Sequence, residues 1–114
     1  MTTNVSPAVL SPEVQLTNAI VTYITGGANA QTIIKRAVIS NDTGGAITFT
    51  MYRVANAGSA GATNRIINAR SVGALGTDLL PELSNMVLNA GDTIQILASA
   101  GASLNFTASG LVAS

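Results

Sequence analysis

Histidine and cysteine, the commonest general base and the best side-chain nucleophile, are both missing from this sequence. A Ser-His-Asp or Cys-His site is therefore impossible. Acid–base work would fall to five carboxylates, Glu13, Asp42, Asp78, Glu82 and Asp92. Only Asp78 and Glu82 lie close in sequence, flanking Leu79-Leu80-Pro81. Carboxylate pairs can act from distant positions, but one small core leaves little room for a cleft. The chain reads as a non-enzyme.

Metal and phosphate chemistry fare no better. Asn41-Asp42-Thr43 offers oxygen ligands but lacks the repeated acids of a calcium loop. A turn explains those residues fully. The Gly-Gly pairs lack the lysine and following helix of a phosphate loop. No cofactor and no metal are expected. Lys35-Arg36 is a lone dibasic pair, too small for salt-dependent phosphate binding, so no nucleic-acid partner is expected. Asn4-Val5-Ser6, Asn41-Asp42-Thr43 and Asn105-Phe106-Thr107 match the glycosylation acceptor pattern. In a chain this rich in Asn, Ser and Thr, chance accounts for all three.

The elements that hold these residues must come from one domain, given 114 residues. Hydrophobic residues make up 47% and aromatics 4%, so the core is aliphatic with Phe49, Phe106, Tyr23 and Tyr52 as anchors. Charge is sparse at 9%, against about 25% in ordinary soluble domains. Five cations balance five anions. A surface of Thr, Asn, Ser, Gly and Ala fits one covered by neighbours, because charge is depleted at interface cores. It also fits a plain extracellular β-domain with an uncharged polar face. Without cysteine there can be no disulfide. The start, Met1-Thr2-Thr3-Asn4, lacks the basic and apolar runs of a signal peptide. Two uncharged stretches, 14–34 and 93–114, carry too many amides and glycines to be membrane helices, and no membrane partner is expected.

Period-two alternation of Val, Ile, Thr and Tyr dominates. Residues 1–13, with Pro7 and Pro12, read as an extended arm or edge segment, either a disordered terminus or an arm that lies on a neighbouring subunit through Val5, Val9 and Leu10. From Val14 to Ile24 the chain reads as a strand with mixed parity, implying a bulge or two buried faces. Thr32–Ser40 and Ala46–Val54 read as strands joined by Asn41-Asp42-Thr43-Gly44-Gly45 into a hairpin. Ala55–Thr63 is a loop tip, and Asn64–Ala69 a short strand. Leu79 to Leu88 fits a helical turn or a buried strand. Thr93–Ala98 and Leu104–Val112 are strands, joined by Ser99–Ser103. The expected fold is all-β: a single antiparallel β-sandwich or jelly-roll-like domain over 14–114, preceded by the arm. Tyr52, on the Thr48–Thr50 parity, is the aromatic most expected at the surface.

Two segments, VISNDTGGAITFTMYRV and VLNAGDTIQILASAGASLNFTASG, carry a resemblance. The chain from Val14 onward is similar to small β-sandwich virion proteins of tailed bacteriophages, most sharply over Leu88–Gly110. That group decorates or cements the capsid, or sits on tail and fibre parts. The resemblance implies a capsid decoration protein that binds between subunits of the major capsid protein. It implies a homo-oligomer, a trimer suiting local three-fold positions. It places the chain on the capsid surface of a virion assembled in the bacterial cytoplasm. The alternative is a tail or fibre module that binds a host glycan or protein through the 55–63 or 99–103 loop. The candidate interface residues are Val5, Val9, Leu10, Tyr52, Arg65 and Arg70.

Overall fold

β-branched and aromatic residues in alternation fix nine strands in the computed structural model, which describes residues 5–101 and 103–113. They are β1 (Val5–Gln15), β2 (Val21–Thr25), β3 (Gln31–Asn41), β4 (Ile47–Val54), β5 (Arg65–Val72), β6 (Thr77–Asp78), β7 (Met86–Leu88), β8 (Thr93–Ala98) and β9 (Leu104–Ala113). A single 3-10 turn, Pro81–Leu83, sits between β6 and β7. Among the described residues, no helix is long and apolar enough to cross a membrane. Asn4, of the first glycosylation pattern, lies outside the described residues.

Two antiparallel sheets form a sandwich. One has the order β1-β9-β3, with β6 and β7 both on the far edge of β3. The other has the order β2-β8-β4-β5. The pairs nest: β1 with β9, β2 with β8, β3 with β6 and β7, β4 with β5. A long hairpin wrapped around a barrel axis gives this order, and it defines a jelly roll. The expected all-β sandwich is what forms.

Between the sheets lies the aliphatic core that the composition implies. Ile34, Ile39, Leu104 and Phe106 from one sheet meet Ile24, Phe49, Met51, Ile94 and Ile96 from the other. Tyr23 on β2 meets Phe106 on β9 edge to face, with ring centroids 5.8 Å apart. Leu80, just before the 3-10 turn, and Leu83, its last residue, complete the cluster.

Two expectations need correction. First, β3 and β4 are not a hairpin. They lie in different sheets, and residues 42–46 cross between them. The reason is that β9 and β8 claim the hydrogen-bonding edges of β3 and β4. Second, the strand expected over 14–24 is two strands. The chain leaves β9 after Gln15 and joins β8 at Val21, crossing sheets through Leu16 and Thr17. The Leu16 N–H donates to the Leu104 carbonyl at 2.8 Å, and the Thr17 carbonyl accepts from Ala98 N–H at 3.0 Å. Its mixed parity is thus two phases from two sheets. Residues 5–13, expected as an extended arm or edge segment, lie along β9 of their own chain as part of β1. Ser11 is buried there, and Leu10 and Val14 pack on the core, which ties the segment down. Proline at 7 and 12 is tolerated because β1 is an edge strand.

β3 also explains a charge placed among apolar residues. Thr32 and Ile34 point inward, and so do Ala37, Ile39 and Asn41, so the phase slips by one residue between them. The slip is a bulge between Ile34 and Arg36, opposite Ser109 and Gly110. It turns both Lys35 and Arg36 out to solvent.

Candidate assembly surface

Alternation on the β1-β9-β3 sheet sends one residue set inward and leaves the other outside. The outside set is unusually apolar at one end. Pro7 pairs with Leu111, Leu111 with Ile33, and Ile33 with Val87. This register row crosses β1, β9, β3 and β7, and each member is exposed or half-buried. Val5 at 56% and Val9 at 70% exposure extend it along β1. Lys35 stands beside it, and its ammonium donates to Asn85 Oδ1 at 2.7 Å. A groove of about 470 Å³ runs through this region, lined by Pro7, Ala8, Val9, Lys35 and Leu111 among others. Exposed apolar patches of this kind mark contact surfaces on soluble proteins.

The sandwich is held at each end by one buried polar side chain. At the end carrying loops 42–46 and 73–76, Asn41 is 1% exposed. Its amide NH₂ donates to the carbonyls of Gly45 at 2.8 Å, Val72 at 3.0 Å and Gly73 at 3.2 Å. Its Oδ1 accepts from the Thr43 N–H at 2.9 Å and the Thr43 hydroxyl at 2.7 Å. At the opposite end, Asp92 accepts from the N–H groups of Asn56 at 3.0 Å and Asn89 at 3.1 Å, and from Arg53 at 3.1 Å. Loops that reach solvent from either end are therefore anchored on a rigid frame.

The six expected interface residues do not share one surface. Val5 and Val9 belong to the apolar row. Leu10 is half-buried and packs on the core. Tyr52, expected as a core anchor and as the aromatic to reach the surface if any did, is only 8% exposed, so it does not offer the contact expected of it. It sits on the central strand β4, flanked in register by Arg65 and Gln95, and neighbours on both sides cover it. Arg65 is exposed at the edge of the second sheet. Arg70 is engaged by both members of the acid pair. Its Nη1 lies 2.9 Å from Glu82 Oε1 and 3.5 Å from Asp78 Oδ2, and its Nη2 pairs with Glu82 Oε2. The bond to Arg70 lowers the Glu82 carboxyl below its ordinary value, and the bond to Glu82 raises Arg70. The only closely spaced carboxylates of the sequence are thus joined through an arginine.

Residues that the sequence reading passed over include Ile33, Val87, Leu111 and Leu75. Ile33 and Leu111 hold the parity opposite to the buried residues of their strands, a signal present but masked by the bulge. Leu75 is 77% exposed in a turn flanked by Gly73 and Gly76.

Fold and surface together define a jelly-roll domain with an apolar outer sheet face. No family model matches the chain, and no curated protein does. Among solved structures, the chain is similar to one of the infectious bursal disease virus Gx strain, at 18% identity and a TM-score of 0.49, over 99% of this chain and 33% of that one. It is also similar to the infectious bursal disease virus VP2 subviral particle, at 15% identity and a TM-score of 0.49, over 97% of this chain and 32% of that one. The chain thus spans about a third of the length of each.

Proposed function

We propose that this chain is a structural protein of a virus particle, a decoration or cement protein of a bacteriophage head that binds between major capsid protein subunits. The observation that carries the reading is the apolar row Pro7, Leu111, Ile33 and Val87 on an open sheet face. A free monomer gains nothing from it, whereas a chain buried among neighbours gains contact area. The sparse charge supports the same reading. Among the described residues, Arg53 pairs with Asp92 and Arg70 with both Asp78 and Glu82, and the five cations of the chain balance its five anions, so little net field opposes close packing of copies. The jelly roll is a frequent architecture of viral capsid domains, an analogy at the level of fold. The phage and head assignments rest on the sequence resemblance over Leu88–Gly110. Avidity over many equivalent sites would make modest single contacts sufficient.

Quantitative mass spectrometry of purified particles, with cryo-electron microscopy, tests the reading. A copy number comparable to the major shell protein, spread over the head, is expected. A few copies at the tail or fibres would replace cement with the adhesive alternative. Absence from particles would overturn the reading.

A further inference from the structure

Leu75 carries two unfavourable features at once. Its φ of 56° lies in the left-handed region, where a leucine is strained and a glycine is not. Its side chain is also 77% exposed. Strain held at a fixed position points to function when the surroundings enforce it, and here they do. The Leu75 N–H donates to the Thr43 carbonyl at 3.1 Å, and the Gly76 carbonyl accepts from Asn41 N–H at 2.9 Å. Asn41 holds the Val72 and Gly73 carbonyls of the same loop. The result is a pre-ordered apolar knob, which loses little freedom on docking.

The same chain offers a hole. The groove lined by Pro7, Ala8, Val9 and Leu111 is apolar and has room for a leucyl side chain. It lies beside residues 33–35 of β3, whereas the knob lies beside residues 41–43. Six to eight strand residues, roughly 20–26 Å, separate them, so one copy cannot fill its own groove. Charge matches as well. Asp42 precedes the carbonyl that holds Leu75, and Lys35 lines the groove. Among the described residues, neither has an ion-pair partner within the chain.

We infer that copies of this chain associate head to tail, Leu75 of one seated in the β1–β9 groove of the next, with Asp42 facing Lys35. Knob and hole are different patches, so the contact is heterologous; it repeats, and it closes into a ring where the rotation permits. The inference deepens the assembly reading and rests on it, naming a second copy as one occupant of the apolar face.

Sedimentation velocity of the full chain over a concentration series tests it, with thermal melts to confirm that each variant is folded. Leu75→Gly removes the knob and Val9→Glu spoils the groove. Each alone should weaken association about tenfold to a hundredfold. An equimolar mixture of the two should give 1:1 dimers that grow no further, because one intact knob and one intact groove remain. Lys35→Glu should weaken association, and adding Asp42→Lys to it should restore it. A wild-type chain that stays monomeric, a Leu75→Gly variant that associates like wild type, or a mixture that stays monomeric would each overturn the inference. These outcomes are separate from particle binding: loss from particles with self-association intact would count against the virion reading alone.

Discussion

Arg53 on β4 and Asp92 before β8 are joined at 3.1 Å, and the same arginine donates to the Val87 carbonyl of β7 at 2.9 Å. One side chain thereby links the two sheets at the end where three loops meet. Asp92 is only 6% exposed, and both its oxygens accept backbone N–H groups as well. Asp92→Ala should cost about 3 kcal/mol, because it strips a buried acceptor from a cation and two amides. Asp92→Asn should cost about 2 kcal/mol, since one oxygen becomes a donor that faces donors. Urea unfolding with an unchanged slope checks both. A loss below about 0.5 kcal/mol would show that water replaces Asp92 at no cost.

Glu82 should make stability depend on acid. The bond from Arg70 lowers its carboxyl below the ordinary value. A lowered folded value means that the contribution is complete above the unfolded value, 4.5, and is lost as pH falls through the folded one. The pair is partly exposed, so the effect is small and fades with salt. Melting temperatures of wild type and Glu82→Gln, measured from pH 7 down to pH 3, should differ near neutrality and converge in acid. Parallel curves across that range would remove Glu82 as the source.

Asn41 should be the least replaceable polar residue at its end of the sandwich. Asn41→Ala leaves the carbonyls of Val72 and Gly73 without their side-chain donor and frees the Thr43 turn. A loss of about 2–3 kcal/mol is expected from unsatisfied buried groups. Asn41→Asp should be no better, because its carboxylate would face three carbonyls. Thermal unfolding of both variants is the check, and a neutral Asn41→Asp would show that the acceptor side alone matters.

Local pattern made some of this legible and not the rest. Ile47–Val54 and Thr93–Ala98 alternate cleanly, and both are strands where the alternation lies. Asn41-Asp42-Thr43-Gly44-Gly45 announces a change of direction, but not which strands it connects. That choice is made by Asn41 reaching Val72, far along the chain, and by β8 and β9 competing for the edges. Tyr52 shows the same limit in the surface. Its parity gives the face correctly, yet exposure depends on neighbours across the sheet, which sequence order does not reveal. Val5 and Val9 were readable as apolar residues in a proline-bearing segment, and both are exposed. Leu75 was not readable, because a leucine between glycines looks like any turn until its dihedral and exposure are known.

Gly110 tests the bulge that turns Lys35 and Arg36 outward. It sits in β9 opposite the slip in β3. A Cβ there would run into the Ile33 carbonyl and the Lys35 nitrogen, both backbone atoms that cannot swing aside. The need is one of space, not of dihedral freedom. Gly110→Ala should therefore cost about 3 kcal/mol, at the upper end for overpacking. Gly44→Ala is the control: nothing stands within 4 Å of its added carbon, and a change between neutral and about 1 kcal/mol of stabilisation is expected. If both glycines tolerate alanine alike, β3 can straighten at Lys35 without loss. The slip would then be a soft feature of the strand, and Lys35 and Arg36 would not be fixed in place beside the groove. A large loss at Gly110 alone would instead mean that backbone packing sets where those two cations stand.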